Sequence, residues 1–588
     1  MSQVGVALSV LLAFCCAPSG AQAPAPEVSS QEAPVTFSSR VNLVSVPVVV
    51  RDREGRALGN LRQEDFQLFD KSKPQVITKF SVETSVAAVE VKAGTSGAPR
   101  EQTQAAPFIG KPTLPERYVA YLFDDVHLQR GDLLLARQAV NRHLDESLEP
   151  TARAAIFTTS GHMLTNFTDD RDKLHQAVDS VLPWTSGPDP QQDCPPMTYY
   201  MADLLVNKLL YLDGFLFSDD QLVAMIGNGQ ADQALTAELA EATACGAGNL
   251  GVSVIRQVRV VARQVLTYGD RETTFALGAI EDVVRRISSL PGSRTLVLVS
   301  PGFLLTRDHQ SQEYAVLDRA IRANVTVNTI DIRGLYTTIP GGGAAQQGYR
   351  SPAAGYLGQA DITAANQAQD LLGEMADGTG GRFFHNDNRL KEGLNLLAAR
   401  PEYVYVLGYS PQNLKFDGSY HSLKVTVRNG SQLTLQARRG YWAPNHAVDP
   451  AEQARDEIRE AVFSRDEIQD IPLDLHTEFF KSGELTAELT VVARLDLKGL
   501  RFRKGEDRNN DTLTVVAGLF DPNGNYVAGI QRVVDLHLRD QTLEAMRNAG
   551  ISVKESFNVA PGRYVVRVVV RDAEGKAMAA RNGGVEIP

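Results

Sequence analysis

The sequence predicts a multidomain chain: a doubly wound α/β domain with a helical insertion, flanked by all-β, Ig-like sandwich modules. Three observations point there. At 588 residues the chain exceeds what one core usually holds. From Arg117 onward, short apolar runs alternate with segments of helical spacing, the pattern of a doubly wound, mainly parallel sheet. On either side, residues 35–83 and the chain beyond Glu402 read as strands and turns.

In chain order, residues 1–21 read as a signal peptide. Their apolar stretch, Val4 to Cys16, is too short to span a bilayer, and Ser19-Gly20-Ala21 fits the small-x-small cleavage rule before Gln22. A lipoprotein signal at Cys15 is the alternative. Residues 22–34, rich in Pro, Ala, Ser and Gln, are expected to be a flexible lead. Residues 35–83 hold two strand–turn–strand units, "VSVPVVVRDREGRAL" and "FQLFDKSKPQVITKFSVE". Residues 84–116 lack periodicity and read as a linker. The α/β domain follows at 117–401, interrupted by a largely helical insertion at 184–290 and a Gly-rich loop at 340–358. Strands return at 402–443, a charged helical connector occupies 444–469, and a second β-sandwich fills 470–588. The strand sets at 35–83 and 402–443 are each too small to bury a core, so they should pair into one sandwich around the α/β domain. "VVVRDREGRAL" at 48–58 and "VVVRDAEGKAM" at 568–578 share one hairpin frame, which suggests similar β modules at both ends.

Composition narrows the function. Hydrophobic content of 43% and charged content of 22% suit a globular protein, and the net charge of −11 is spread without a basic block, which disfavours nucleic acid as partner. No later segment has the length and apolarity of a membrane helix. With the signal removed, only Cys194 and Cys245 remain. In an oxidising compartment they are candidates for one disulfide, with two unrelated buried thiols as the alternative.

Several segments carry a resemblance: Val41–Glu83, "YLFDDVHL", "CPPMTYYMADLLVNK", "GSRTLVLVSPGFL", "IDIRGL", "MADGTGGRFF" and "YVLGYSP…GYWAP". Together, over residues 40–443, they resemble the VWFA-related family of acidobacterial secreted proteins, a divergent branch of the von Willebrand factor type A domains. The resemblance implies a Rossmann-like domain, export, and binding or adhesion. It also implies a divalent cation at the C-terminal sheet edge, held by a D-x-S-x-S loop, a Thr and an Asp, with the partner's carboxylate completing the shell. Asp124 matches the first Asp and Thr198 the Thr. The serine positions fall on Val126 and Leu128, and Ser300-Pro301-Gly302 stands where the last Asp should follow its strand.

Asp125 and His127 could compensate, since Asp-Asp-x-His offers two carboxylates and an imidazole, a set better suited to Mn²⁺, Zn²⁺ or Fe²⁺ than to Mg²⁺. The metal expectation is therefore one divalent cation, Mg²⁺ or Mn²⁺, on Asp124, Asp125, His127 and Thr198. Alternatively, Asp124 caps the next helix, Asp125 faces solvent, His127 bonds a loop, and Thr198 is an N-cap. Thr168-Asp169-Asp170 read as a helix cap, and Asp331 as an ordinary strand-end Asp that could line the same crevice. His162, His309 and His385 suggest no triad. "GGG" at 341–343 lacks the Lys-Ser/Thr of a phosphate loop, and "DPNGN" at 521–525 reads as a hairpin turn.

The function these residues suggest is an exported, non-enzymatic protein-binding or adhesion module, secreted, periplasmic or envelope-associated, whose partner is a protein or cell-surface ligand. One alternative is a metal-dependent hydrolase using Asp124, Asp125 and His127, which lacks a further nucleophile or base. The other is a structural or assembly factor of the envelope.

Overall fold

The computed structural model describes residues 26–33, 44–53, 56–84, 115–184, 194–209, 211–212, 215–216, 218–229, 232–246, 249, 251–335, 350–399, 401–411, 419–428, 430, 432–443, 450–464, 467–481, 483, 485–505 and 507–588. The signal segment, almost all of the linker and the GGG loop lie outside them.

The chain is a mixed α/β multidomain protein with several sheets. It begins with β1 (Val28–Ala33), β2 (Val44–Arg51), β3 (Phe66–Asp70), β4 (Lys73–Gln75) and β5 (Lys79–Thr84). The central part runs β6 (Arg117–Phe123), α1 (Arg130–Glu146), β7 (Ala152–Thr158), β8 (Met163–Thr168) and α2 (Arg171–Ser180). A helical stretch follows: α3 (Tyr199–Asp203), the small hairpin β9 (Tyr211–Leu212) and β10 (Phe215–Leu216), α4 (Asp219–Gly227), α5 (Gln233–Ala244) and α6 (Val252–Ile287). Then come β11 (Ser293–Val299), α7 (Gln310–Arg322), β12 (Val325–Ile330), α8 (Ala354–Thr379), β13 (Phe383–Phe384) and α9 (Leu390–Ala398).

Six of these strands form one sheet in the order β13-β12-β11-β6-β7-β8. All neighbours are parallel except β8, which pairs antiparallel to β7 at the edge. The sequence explains why β6 sits in the middle: every residue of "RYVAYLF" is buried. Tyr118, Ala120 and Leu122 enter one core and Val119, Tyr121 and Phe123 the other, as a strand covered by helices on both faces requires. α6, about 54 Å long at 1.5 Å per residue, joins the helical insertion to the sheet. Its Ala276–Ile287 part packs on the sheet, while Val254–Val265 builds a separate core with α3, α5 and Leu357 of α8.

The strands before and after the α/β domain interleave. The later set is β14 (Tyr403–Tyr409), β15 (Tyr420–Val427), β16 (Thr434–Ala437) and β17 (Gly440–Trp442). One sheet has the order β16-β2-β14-β5 and the other β17-β15-β3-β4, so each draws strands from both ends of the chain. Buried Asp70 at the end of β3 fixes this arrangement, because its donors come from the later set. Tyr409 and Tyr441 donate to Oδ2 at 3.0 and 2.9 Å, and His421 Nδ1 lies 2.8 Å from Oδ1.

The C-terminal part comprises α10 (Pro450–Val462), β18 (Ile468–Gln469), β19 (Leu473–Lys481), β20 (Ala487–Leu495), β21 (Arg503–Gly505), β22 (Arg508–Phe520), β23 (Tyr526–Leu538), α11 (Asp540–Ala549), β24 (Ile551–Val559), β25 (Gly562–Asp572) and β26 (Met578–Ile587). A three-stranded sheet, β19-β20-β24, faces a seven-stranded sheet built on β22, β23, β25 and β26 across one apolar core. α10 covers the outer face of the larger sheet, where fully buried Arg567 donates to the Ala461 carbonyl at 2.6 Å.

One expectation is corrected here. Within the supposed flexible lead of 22–34, β1 adds an edge strand to the C-terminal sheet, Val28 opposite Leu536 through Ala33 opposite Gln531. "VSSQEA" has little to bury, so its order comes from backbone pairing with an open edge, aided by Glu27, whose backbone accepts from His537 N at 2.8 Å.

The C-terminal sandwich abuts the N-terminal edge of the α/β sheet. Arg294 at the start of β11 donates to the Phe463 carbonyl at 3.0 Å, and Arg153 at the start of β7 to Asn523 Oδ1 at 3.0 Å. The 521–525 segment is a hairpin turn closed on Asp521, and Gly524, with φ of +79°, fits directly under Tyr118 of β6, where a Cβ would stand 1.5 Å from the hydroxyl. The opposite, C-terminal edge of the sheet carries the candidate site.

Interleaving has a consequence for a nicked chain. With a protease site engineered between residues 84 and 115, the two pieces should co-elute in gel filtration after cleavage and separate only in denaturant. Separation under native conditions would contradict the pairing of early and late strands.

Candidate functional site

Asp124 follows β6 directly and has no solvent exposure. Because β6, β7 and β11 are in parallel register, with Phe123 opposite Thr158 and Val299, the loops after all three strands converge on it. Thr159 donates its hydroxyl to Asp124 Oδ1 at 2.9 Å, and Ser300 to Oδ2 at 2.6 Å. His127 reaches back with Nδ1 at 2.8 and 3.0 Å from the two oxygens. Burial opposes charge on Asp124, but the His127 charge and the hydrogen bonds from His127, Ser300 and Thr159 outweigh it and hold the carboxyl below its usual range. Burial likewise opposes the imidazolium of His127, and the Asp124 charge and hydrogen bond, then Glu272 and Asp125, raise its pKa.

Asp125 is also buried and turns toward the loop after β7. Its Oδ1 accepts from Thr159 Oγ1 at 3.1 Å and Ser160 N at 2.9 Å, and its Oδ2 from Ser160 Oγ at 2.5 Å. Ser160 also contacts His162 Nδ1 at 2.9 Å. Thr198 caps α3 by accepting from Met201 N at 3.3 Å.

Of the four expected ligands, the structure brings only Asp124, Asp125 and His127 into one network. Their donor set does not fit a divalent ion as arranged. Both oxygens of each carboxylate accept hydrogen bonds, one nitrogen of His127 is turned to Asp124, and the Thr198 hydroxyl serves its helix. Among the described residues no group of three or more His, Cys, Asp or Glu could hold a metal ion. Solvent-facing Asp125 is corrected as well, to a buried acceptor.

The remaining candidates sit apart. Asp170 caps α2 through Lys173 N at 3.2 Å, and Asp169 pairs with Arg153 at 2.9 Å. Asp331 lies at the same sheet edge, engaged by Arg333 at 2.7 Å and Gln369 at 3.1 Å. His309 bonds Thr306 Oγ1 at 2.9 Å, and His385 stacks on Phe383. Thr159 and Ser160 were not among the candidates, and Ser300, which stands in place of the expected last Asp, proves to be a donor to Asp124. Their signal was positional: each directly follows, or nearly follows, an apolar strand adjacent to β6.

Beside this network lies a cavity of about 270 Å³. His127, Thr198 and Tyr199, Glu272 of α6, Gly302–Leu304 after β11, and Ala364, Ala365 and Ala368 of α8 line it. Phe303 stacks on the His127 ring, centroids 5.0 Å apart and planes 13° from parallel. Gly302, with φ of +85°, lets the loop touch α8, where a Cβ would stand 2.2 Å from the Ala368 carbonyl oxygen. The segment entering α3 is tied by the Cys194–Cys245 disulfide, with Cα atoms 5.7 Å apart.

No family model matches the chain, and no curated protein does. Among solved structures, an aerotolerance-related membrane protein from Bacteroides fragilis is 12% identical, over 48% of this chain and 98% of that one, with a TM-score of 0.23. The conserved hypothetical protein BatB from Bacteroides thetaiotaomicron is 9% identical, over 48% of this chain and 95% of that one, with a TM-score of 0.21. A Bacteroides uniformis beta-glucuronidase is 11% identical, over 32% of this chain and 19% of that one, with a TM-score of 0.14. Likenesses of this size assign no function.

Removing one partner of a buried ion pair costs about 3–5 kcal/mol, so Asp124→Ala should lose that much stability in urea denaturation. Titration calorimetry of the wild type with MgCl₂ or MnCl₂ should give no stoichiometric binding. One tightly bound ion per chain, lost in Asp124→Ala, would restore the cation site.

Proposed function

We propose that this chain is an exported, non-enzymatic binding protein whose α/β domain offers the crevice beside His127 to a protein or cell-surface ligand. The observation that carries the reading is where the crevice lies. The chain runs from β6 outward through β7 and β8, then returns to build β11, β12 and β13 on the other side. The strand order therefore reverses between β6 and β11, and open α/β sheets bind ligands outside the strand ends at such a switch point. His127 comes from the loop after β6 and Gly302–Leu304 from the loop after β11, so the crevice opens at that point.

Further support comes from the resemblance of residues 40–443 to the type A branch. Recognition here does not pass through a bridging cation, because His127 already neutralises Asp124. Phe303, Leu304 and three alanines give the crevice an apolar wall, and His127, Thr198, Tyr199, Tyr200, Glu272 and Thr273 add polar groups that can orient a ligand. Export is supported by the signal pattern of residues 1–21 and by the disulfide, which suits an oxidising compartment. Among the described residues no helix is long and apolar enough to cross a membrane.

The hydrolase alternative requires Asp124, Asp125 and His127 to share an ion. Their acceptors are directed instead at Thr159, Ser160 and Ser300 and at one another, which favours the binding reading.

A fragment library screened by NMR tests this. Hits should shift resonances of His127, Phe303 and Ala365, and Ala365→Phe, which fills the crevice without touching Asp124, should weaken them at least ~10-fold, or 1.4 kcal/mol. Hits that scatter over the surface, or that bind Ala365→Phe equally well, would remove the crevice as the site.

A further inference from the structure

We propose that α8 is a pH-responsive wall of this crevice, clasped at two points by buried carboxyls that hold it while neutral and loosen it when they ionise. Its consequence for ligands rests on the binding reading above, but the device itself stands on the packing of α8.

The first clasp joins α8 to α5. Glu238 and Glu241 lie one turn apart on α5, each 1% exposed. Glu241 is committed to the segment that enters α8: its carboxylate accepts from Arg350 N at 2.9 Å and Ser351 N at 2.9 Å. Glu238 Oε2 is buried with no hydrogen-bond partner. The charged groups acting on Glu238 are Glu241 on its own helix and Asp361 on α8, both acidic, and the phenol of Tyr356 on α8 also feels its charge. An anionic Glu238 would therefore add a charge against two others without a donor, whereas a protonated one is neutral there.

The second clasp joins α8 to α7. Glu313 of α7 is 4% exposed, its Oε1 is buried without a hydrogen-bond partner, and the group acting on it is Glu374 of α8. The Glu313 and Glu374 side chains hydrogen-bond to each other, and two carboxyls in such contact share one proton more readily than they carry two charges. Burial and these neighbours push Glu238 up to about 8 and Glu313 up to about 7.

The crevice wall lies between the clasps. Asp361, Ala364, Ala365 and Ala368 fall at i, i+3, i+4 and i+7, one stripe of α8. Three of the four line the crevice, and Ala368 meets Gly302 by backbone contact. A shift of α8 therefore redraws the cavity directly. The sign follows from the raised values. Each group is neutral in the fold at a pH where the unfolded chain has already ionised. Its stabilisation is full below the ordinary Glu range and is lost as pH rises through about 7 to 8.

Hydrogen–deuterium exchange of the full chain tests this without any ligand, so its failure is separate from failure of the binding reading. After correction for intrinsic rates, protection of Ala354–Thr379 should fall at least ~10-fold between about pH 6 and about pH 9, while α1 stays unchanged. In Glu238→Gln/Glu313→Gln the fall should vanish. If that double variant does not fold, Asp361→Asn serves instead and should shrink the fall by removing one repelling charge. A wild type whose α8 protection is level across this range, or a folded variant that loses protection as the wild type does, overturns the proposal.

Discussion

A carboxylate with no solvent exposure has to be neutralised and hydrogen-bonded, and Asp124 meets that requirement with groups from three loops. Thr159 comes from the loop after β7, Ser300 from the loop after β11, and His127 from its own. Leaving any of these acceptors unpaired would cost more than a single surface contact provides, so the loops are held to one arrangement. The crevice inherits its shape from that constraint. His127, oriented by Asp124, stacks on Phe303, and Phe303 follows the Gly302 that touches α8.

The same principle recurs elsewhere in the molecule. Asp70 lies in an early strand and takes its three donors from residues beyond 400, which unites two distant stretches in one sandwich. In the C-terminal sandwich, Arg567 is fully buried and held by a carbonyl of α10 and by Asn582, so the connecting helix is fixed to the sheet it covers. A buried charge acts in each case as an address, satisfied by only one pairing of remote segments.

The doubly wound sheet was legible in the sequence because its central strands are unbroken apolar runs, a pattern that follows from burial on both faces. β1 was not, because "VSSQEA" has no alternation and its order depends on an edge supplied some 500 residues later. Asp124 and His127 were legible as chemistry-bearing residues at a strand end. Their role was not: residue type shows which atoms can bind a cation, whereas the hydrogen bonds from Thr159, Ser160 and Ser300 decide whether any lone pair remains. Those partners come from neighbouring strands, and only the parallel register reveals that they face Asp124. Glu238 and Glu313 were equally silent, since a Glu within a helix reads as solvated until its neighbours are known.

Asp124 and His127 act as one charge pair that organises the strand-end loops. A double-mutant cycle of Asp124→Asn, His127→Gln and the combined variant, read by urea unfolding, measures this most directly. A coupling of about 1.5 kcal/mol or more is expected, within the range of contacting pairs. Additivity to within about 0.5 kcal/mol would show that the two residues do not depend on each other and would contradict it.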